Sequence, residues 1–170
     1  MRGGSAIILP LLAGGSLLSI VAADLIAYLH PAQGYEFSLY GSTPALVWIL
    51  LIGGAIGGIF ILLCQAYIGG SGRGAPWAAA LSIIVLARVS LLFVPYIRGY
   101  YSLGGDHISH MGVVRDIVAL GHVESTNYYP ALHILASAVT VVSGLSVEIC
   151  TNCLAAVISV FYVLSIVALA

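Results

Sequence analysis

Residues 44–68, PALVWILLIGGAIGGIFILLCQAYI, run for 25 positions without one charged side chain. A helix of that length reaches about 37 Å, enough to cross the roughly 30 Å hydrocarbon core of a bilayer. Four further apolar runs, 5–29, 77–96, 129–145 and 147–170, are read the same way, with 129–145 rather short. Over the whole chain 61% of residues are hydrophobic and 6% are charged, with a mean hydropathy of +1.13. Soluble domains carry about 25% charged residues, so no water-compatible surface can be built from this composition. The expected fold is an all-α integral membrane protein of about five transmembrane helices. One long extracytoplasmic loop would carry an amphipathic interfacial helix.

The first run follows Arg2 and continues to Asp24 and His30, too long for the core of a secretory signal, and is expected to be retained. Residues 1–98 then hold three transmembrane helices, 99–128 the long loop and 129–170 two more helices. The last run stops without a basic or glycine-rich flank, so these segments are expected to form the N-terminal part of a larger membrane domain. The protein is read as multi-pass, in the cell membrane. Arg2 and Arg73 fall on one side of it, Glu36, Asp106, Asp116 and Glu124 on the other; the positive-inside rule then puts the N-terminus in the cytoplasm. Arg98 and Arg115 fall on the outer side, so the arginine count by itself is a tie. The chain has no basic cluster, which argues against a nucleic-acid partner; the bilayer is the partner that composition demands.

Within the second run, Gly53, Gly54, Gly57 and Gly58 form two overlapping GxxxG pairs, a surface on which another helix backbone can approach closely. Arg88 sits in the middle of the third run, where an unpaired charge costs about 2.5–3.5 kcal/mol on insertion scales. Asp24 is its candidate partner within the chain. Cys150 and Cys153 match a CxxC spacing, but at the start of an apolar helix, with no second pair to complete a zinc site, they are read as packing residues.

Residues 100–133, YYSLGGDHISHMGVVRDIVALGHVESTNYYPALH, are the one polar island, with four of the five histidines and three of the six carboxylates. Asp106 after Gly104-Gly105 suits a helix N-cap, and Gly121 suits the end of a helix over about 107–120. On it Asp106, His107 and His110 fall within about a 100° arc and can face one point. They are a candidate divalent-cation site; interfacial polarity without a metal is the alternative for the two histidines, and a plain cap is the alternative for Asp106. Arg115 with Asp116 reads as a solvated pair, and His122 and Glu124 as loop residues. Pro130 opens the fourth span, which places His133 one turn inside, and Tyr128 and Tyr129 can pack on an isoprenoid or a sugar ring.

A spanning helix ending in Pro95-Tyr96, the Gly105-Asp106-His107-Ile108-Ser109-His110 pattern, a surface helix ending at Gly121 and a Tyr129-Pro130-x-x-His133 return into the bilayer resemble the GT-C class of membrane glycosyltransferases, in particular an archaeal-type branch with a GD-x-x-x-H pattern in the first large loop. The likeness covers about residues 85–145. It implies transfer of a sugar from a polyprenyl-phosphate-linked donor at the extracytoplasmic membrane face. It also implies that Asp106 is catalytic, either taking the acceptor hydroxyl's proton or helping to hold a divalent cation. His107 stands where many members have a second acid. Arg98 and Arg115 are the candidates for the donor phosphate, with Tyr129 and His133 beside the substrate. Two other classes stay open: a transporter component in which Asp24, Arg88 and His133 line one path, and a non-catalytic membrane subunit needing only the glycine face.

Overall fold

The computed structural model describes residues 2–67, 74–128 and 130–169, with the side chains of 2–7 outside that description. All its elements are helices: α1 Arg2–Leu29, α2 Leu39–Ser42, α3 Ala45–Tyr67, α4 Ala75–Ile97, α5 His107–Leu120, α6 Pro130–Ser143 and α7 Val147–Leu169. Among the described residues, four helices are long and apolar enough to span a membrane: Ile8–Leu29 within α1, then α3, α4 and α7. The chain is an all-α membrane protein. The remaining apolar helix, α6, has 14 residues and at 1.5 Å per residue reaches only about 21 Å, short of the hydrocarbon thickness. It stops where Gly144 takes a left-handed φ of 69°. The chain forms two compact units, Met1–Gly99 and Tyr100–Ala170, so that the long loop and the last two helices belong to one body.

In the first unit α1, α3 and α4 pack pairwise against one another. Each buries a narrow stripe with helical spacing: Ser16, Ile20, Ala23 and Ala27 of α1; Val47, Leu51, Gly54, Gly57, Gly58 and Ile61 of α3; Ala80, Ile83, Ala87, Ser90 and Val94 of α4. Lipid is as apolar as leucine, so sequestering apolar area does not drive these contacts; close packing and interhelical hydrogen bonds do. The expected glycine face is met inside the chain. A methyl group on Gly54 would lie 2.6 Å from Ile20 Cγ1 and 3.0 Å from the Ser16 carbonyl oxygen; one on Gly58 would lie 3.0–3.2 Å from Ile84, Ile83 and Ala80. Gly57 abuts Ser16, whereas Gly53 is exposed with nothing near it. Two hydrogen bonds reinforce the stripes: Ser19 Oγ donates to the Leu50 carbonyl and Ser90 Oγ to Asp24 Oδ2, both at 2.8 Å. Asp24, expected to answer Arg88, thus meets the hydroxyl of Ser90, with its Oδ1 buried and lacking a hydrogen bond.

Arg98, at the C-cap of α4, organises the 30–43 connection. Its guanidinium grips Glu36 with two bonds of 2.9 Å, one to each carboxylate oxygen. It also donates to Thr43 Oγ1 at 3.0 Å and, through Nε, to the His30 carbonyl at 2.9 Å. The Arg98 carbonyl accepts from the Ala32 amide at 2.8 Å. Arg98 is 2% exposed and Glu36 12%. Removing one partner of a pair so buried costs about 3–5 kcal/mol, because the other charge is left uncompensated. Arg73, on which the orientation argument leaned, and the Arg2 side chain lie outside the described residues.

The contrast between adjacent glycines is a direct test of this packing. Gly54→Ala is expected to destabilise the purified protein by about 1–3 kcal/mol through overpacking. Gly53→Ala, on the open side of the same turn, is expected to be neutral or mildly stabilising. Thermal unfolding in detergent reads both, and equal effects would contradict the packing.

Candidate functional site

The second unit begins by turning sharply. Gly104 and Gly105 both have positive φ, 91° and 58°, a backbone that L side chains avoid. They deliver the chain to Asp106 at the head of α5, and Gly121, left-handed at φ 74°, closes the helix with its amide on the Ile117 carbonyl. Both limits of α5 fall where the sequence places them. The cap itself differs: the Asp106 side chain makes no capping hydrogen bond. Its carboxylate, 76% exposed, instead stands 3.6 Å from His110 Nε2, one turn along.

α5 packs on α6 and α7, burying Met111 and Val114, while Ile108 and Leu120 stay exposed. The buried stripe of α6 is His133, Ala136, Ser137 and Thr140, so an imidazole occupies the first place of an otherwise small-residue face. That imidazole is fully bonded. His133 Nε2 lies 2.8 Å from His110 Nδ1, and His133 Nδ1 lies 3.0 Å from Asn127 Oδ1. The two rings are 5.1 Å apart between centroids and tilted by 34°. Ser137 Oγ donates to the His133 carbonyl at 2.7 Å, fixing the turn beneath.

Beside this chain of bonds lies a cleft of about 240 Å³, half open to its surroundings, lined by Ser109, His110, Val113, Asp116, Ile117, His122, Glu124, Thr126, Asn127, Tyr128 and His133. Its lining holds two carboxylates, three imidazoles, two hydroxyls besides the phenol of Tyr128, and neither lysine nor arginine. A cleft of that character suits a neutral or cationic hydroxyl-rich group. It gives an anion no countercharge. Asp116, His122 and Glu124, read from sequence as solvated or loop residues, thereby join the site. Asn127 was missed as a partner; its one sequence signal was a position six residues ahead of His133.

The remaining candidate residues go elsewhere. Arg115 is paired with Glu148 of α7 rather than with its neighbour Asp116, and also donates to the Tyr101 hydroxyl, with its guanidinium carbon 5.7 Å from the Tyr101 ring centre. The Tyr101 hydroxyl donates to the same Glu148 oxygen at 2.5 Å, a bond that pushes its pKa up. Arg98 belongs to the first unit and to its ion pair with Glu36. Neither arginine lines the cleft. Tyr129 lies outside the described residues.

Asp106, His107 and His110 do not form the expected cation site. Neither nitrogen of His107 makes a hydrogen bond, although the Thr151 backbone of α7 lies near enough to favour the charged ring slightly. His110 faces α6 instead. Three residues apart on a helix are about 60° apart around it, and here that rotation sends the two imidazoles to different neighbours. Among the described residues no group of three or more His, Cys, Asp or Glu side chains is placed to hold a metal ion. Cys150 is buried, Cys153 exposed, and both are free thiols.

No protein-family model, curated protein or solved structure matches this chain.

Burial holds both His107 and His133 below the ordinary imidazole range, with the positive charge that His110 can carry adding to it in each case. A depressed pKa means that the folded unit favours the neutral ring. Its stability is therefore complete above the unfolded value of about 6.5 and is lost as the pH falls through the lowered folded values. Acidification from about pH 8 to about pH 5 is expected to lower the unfolding temperature of the protein in detergent, and His107→Phe to flatten that dependence. An unfolding temperature that rises on acidification would contradict the placement of these rings.

Proposed function

We propose that the chain is a membrane-embedded glycosyltransferase. In this reading it moves a sugar from a polyprenyl-phosphate donor to a hydroxyl acceptor at the extracytoplasmic face of the cell membrane. The observation that carries the reading is Asp106. Its carboxylate is left out of the helix cap and exposed, and it stands 3.6 Å from His110, which lines a polar cleft. A plain N-cap would bond the first-turn amides.

The cleft's chemistry also supports an acceptor role. An acceptor sugar or hydroxyl side chain is neutral and hydrogen-bond-rich, which matches carboxylates, imidazoles and hydroxyls without a fixed cation. Transfer from a glycosyl phosphate needs a base for the acceptor hydroxyl, and the paired Asp106 and His110 are such a base. The donor phosphate needs positive charge from elsewhere. Arg98 and Arg115 are committed to Glu36 and Glu148.

The test is transfer by the full chain in liposomes, with radiolabelled polyprenyl-phosphate-mannose and polyprenyl-phosphate-glucose as donors and a hydroxyl-bearing glycan or peptide mixture as acceptor. Asp106→Asn is expected to lower transfer about 100-fold or more, with the helical circular dichroism unchanged. Full transfer by that variant, or no transfer by the parent chain to any acceptor, would overturn the reading.

A further inference from the structure

We infer that His110, not Asp106, is the atom-level proton acceptor of this site, and that Asn127 and His133 are positioning residues that fix which of its nitrogens carries the lone pair. The polarity of the chain of bonds follows from its far end. A carbonyl oxygen can only accept, so Asn127 Oδ1 takes the proton of His133 Nδ1, at 3.0 Å. A neutral imidazole with its proton on Nδ1 has its lone pair on Nε2. That lone pair then receives the Nδ1 proton of His110, at 2.8 Å. His110 in turn has its lone pair on Nε2, the nitrogen 3.6 Å from Asp106 Oδ2.

Each link has a different physical cause. His133 is 3% exposed, so its protonation is opposed by burial and by any charge on His110, and it stays the neutral member of the pair. His110 is 37% exposed and lines the cleft. A proton added at its Nε2 makes an imidazolium whose two N–H groups are both engaged: Nδ1 bonded to His133 and Nε2 directed at Asp106. The titratable groups around it are Asp106 and His107 on its own helix, His133 on α6, and Asp116, His122 and Glu124 around the cleft.

The proposed step depends on the transferase reading for its substrates. The acceptor's O–H proton passes to His110 Nε2 while the acceptor oxygen forms its bond to the sugar's anomeric carbon. The bond from that carbon to the donor's phosphate oxygen breaks with its electron pair on phosphate. The carboxylate of Asp106, 3.6 Å from the nitrogen that takes the proton, stabilises the imidazolium by its charge.

The decisive experiment is nitrogen NMR of the full chain in lipid nanodiscs with isotope-labelled histidine, assigned with His110→Gln and His133→Gln. Above the imidazole range, both rings are expected to carry their proton on Nδ1. On acidification the first proton at the pair should appear at His110 Nε2. Asn127→Leu is expected to release His133 to the Nε2–H form, which reverses or breaks the bond to His110; a merely space-filling Asn127 would leave both tautomers unchanged. A proton on Nε2 of His110 in the neutral wild-type protein overturns the proposal, as does first protonation at His133. These readouts need no substrate, so they separate from the transfer assay. The assigned tautomers in a protein that transfers no sugar would leave the proton acceptor standing and remove the transferase reading. Transfer by a protein with the opposite tautomers would do the reverse.

Discussion

The hydrogen bond between His110 and His133 is the contact on which the second unit's chemistry depends. It joins α5 to α6 at the level where both helices meet the cleft, and it is made between two side chains that each need a partner. Burying an imidazole unpaired is costly, and the cost is met here by a neighbour that is itself chemically active. The bond therefore holds the helices together and sets the tautomer of an exposed ring. Asn127 and Asp106 stand at its two ends, one as a neutral acceptor and one as a carboxylate.

The first unit solves a related problem without chemistry. α1, α3 and α4 bury small residues against one another, and its polar groups are drawn into short bonds between segments far apart in the chain. Arg98 is the strongest case: a guanidinium that reads from sequence as a free phosphate ligand is used to hold the 30–43 connection through Glu36, Thr43 and His30. Charge in an apolar setting is expensive, so a bidentate partner is the usual condition for its presence.

The helices were largely legible in the sequence. Apolar runs of spanning length mark α1, α3, α4 and α7, and Asp106 and Gly121 mark the limits of α5, because those features act within a few residues of where they stand. The site was legible only in its address. Helical spacing places Asp106, His107 and His110 on a shared arc, but it cannot say that α7 meets one imidazole and α6 the other. Glu36 lies 62 positions from Arg98 and Glu148 lies 33 from Arg115, separations at which local pattern carries no pairing information. Asp116 next to Arg115 suggested the wrong ion pair for the same reason. Gly53 and Gly54 look alike in a GxxxG pattern, and only the approach of α1 distinguishes them.

The proposal's central claim is that water and a hydrophilic substrate reach the cleft between α5 and the 122–128 segment from the extracytoplasmic side. Cysteine accessibility in intact cells tests it most directly. With Cys64, Cys150 and Cys153 replaced by alanine, a membrane-impermeant maleimide added outside should label Thr126→Cys and Ser109→Cys promptly, and should leave Gly53→Cys, on the exposed side of the apolar helix α3, unlabelled. Labelling of Thr126→Cys and Ser109→Cys only after the membrane is permeabilised would contradict it.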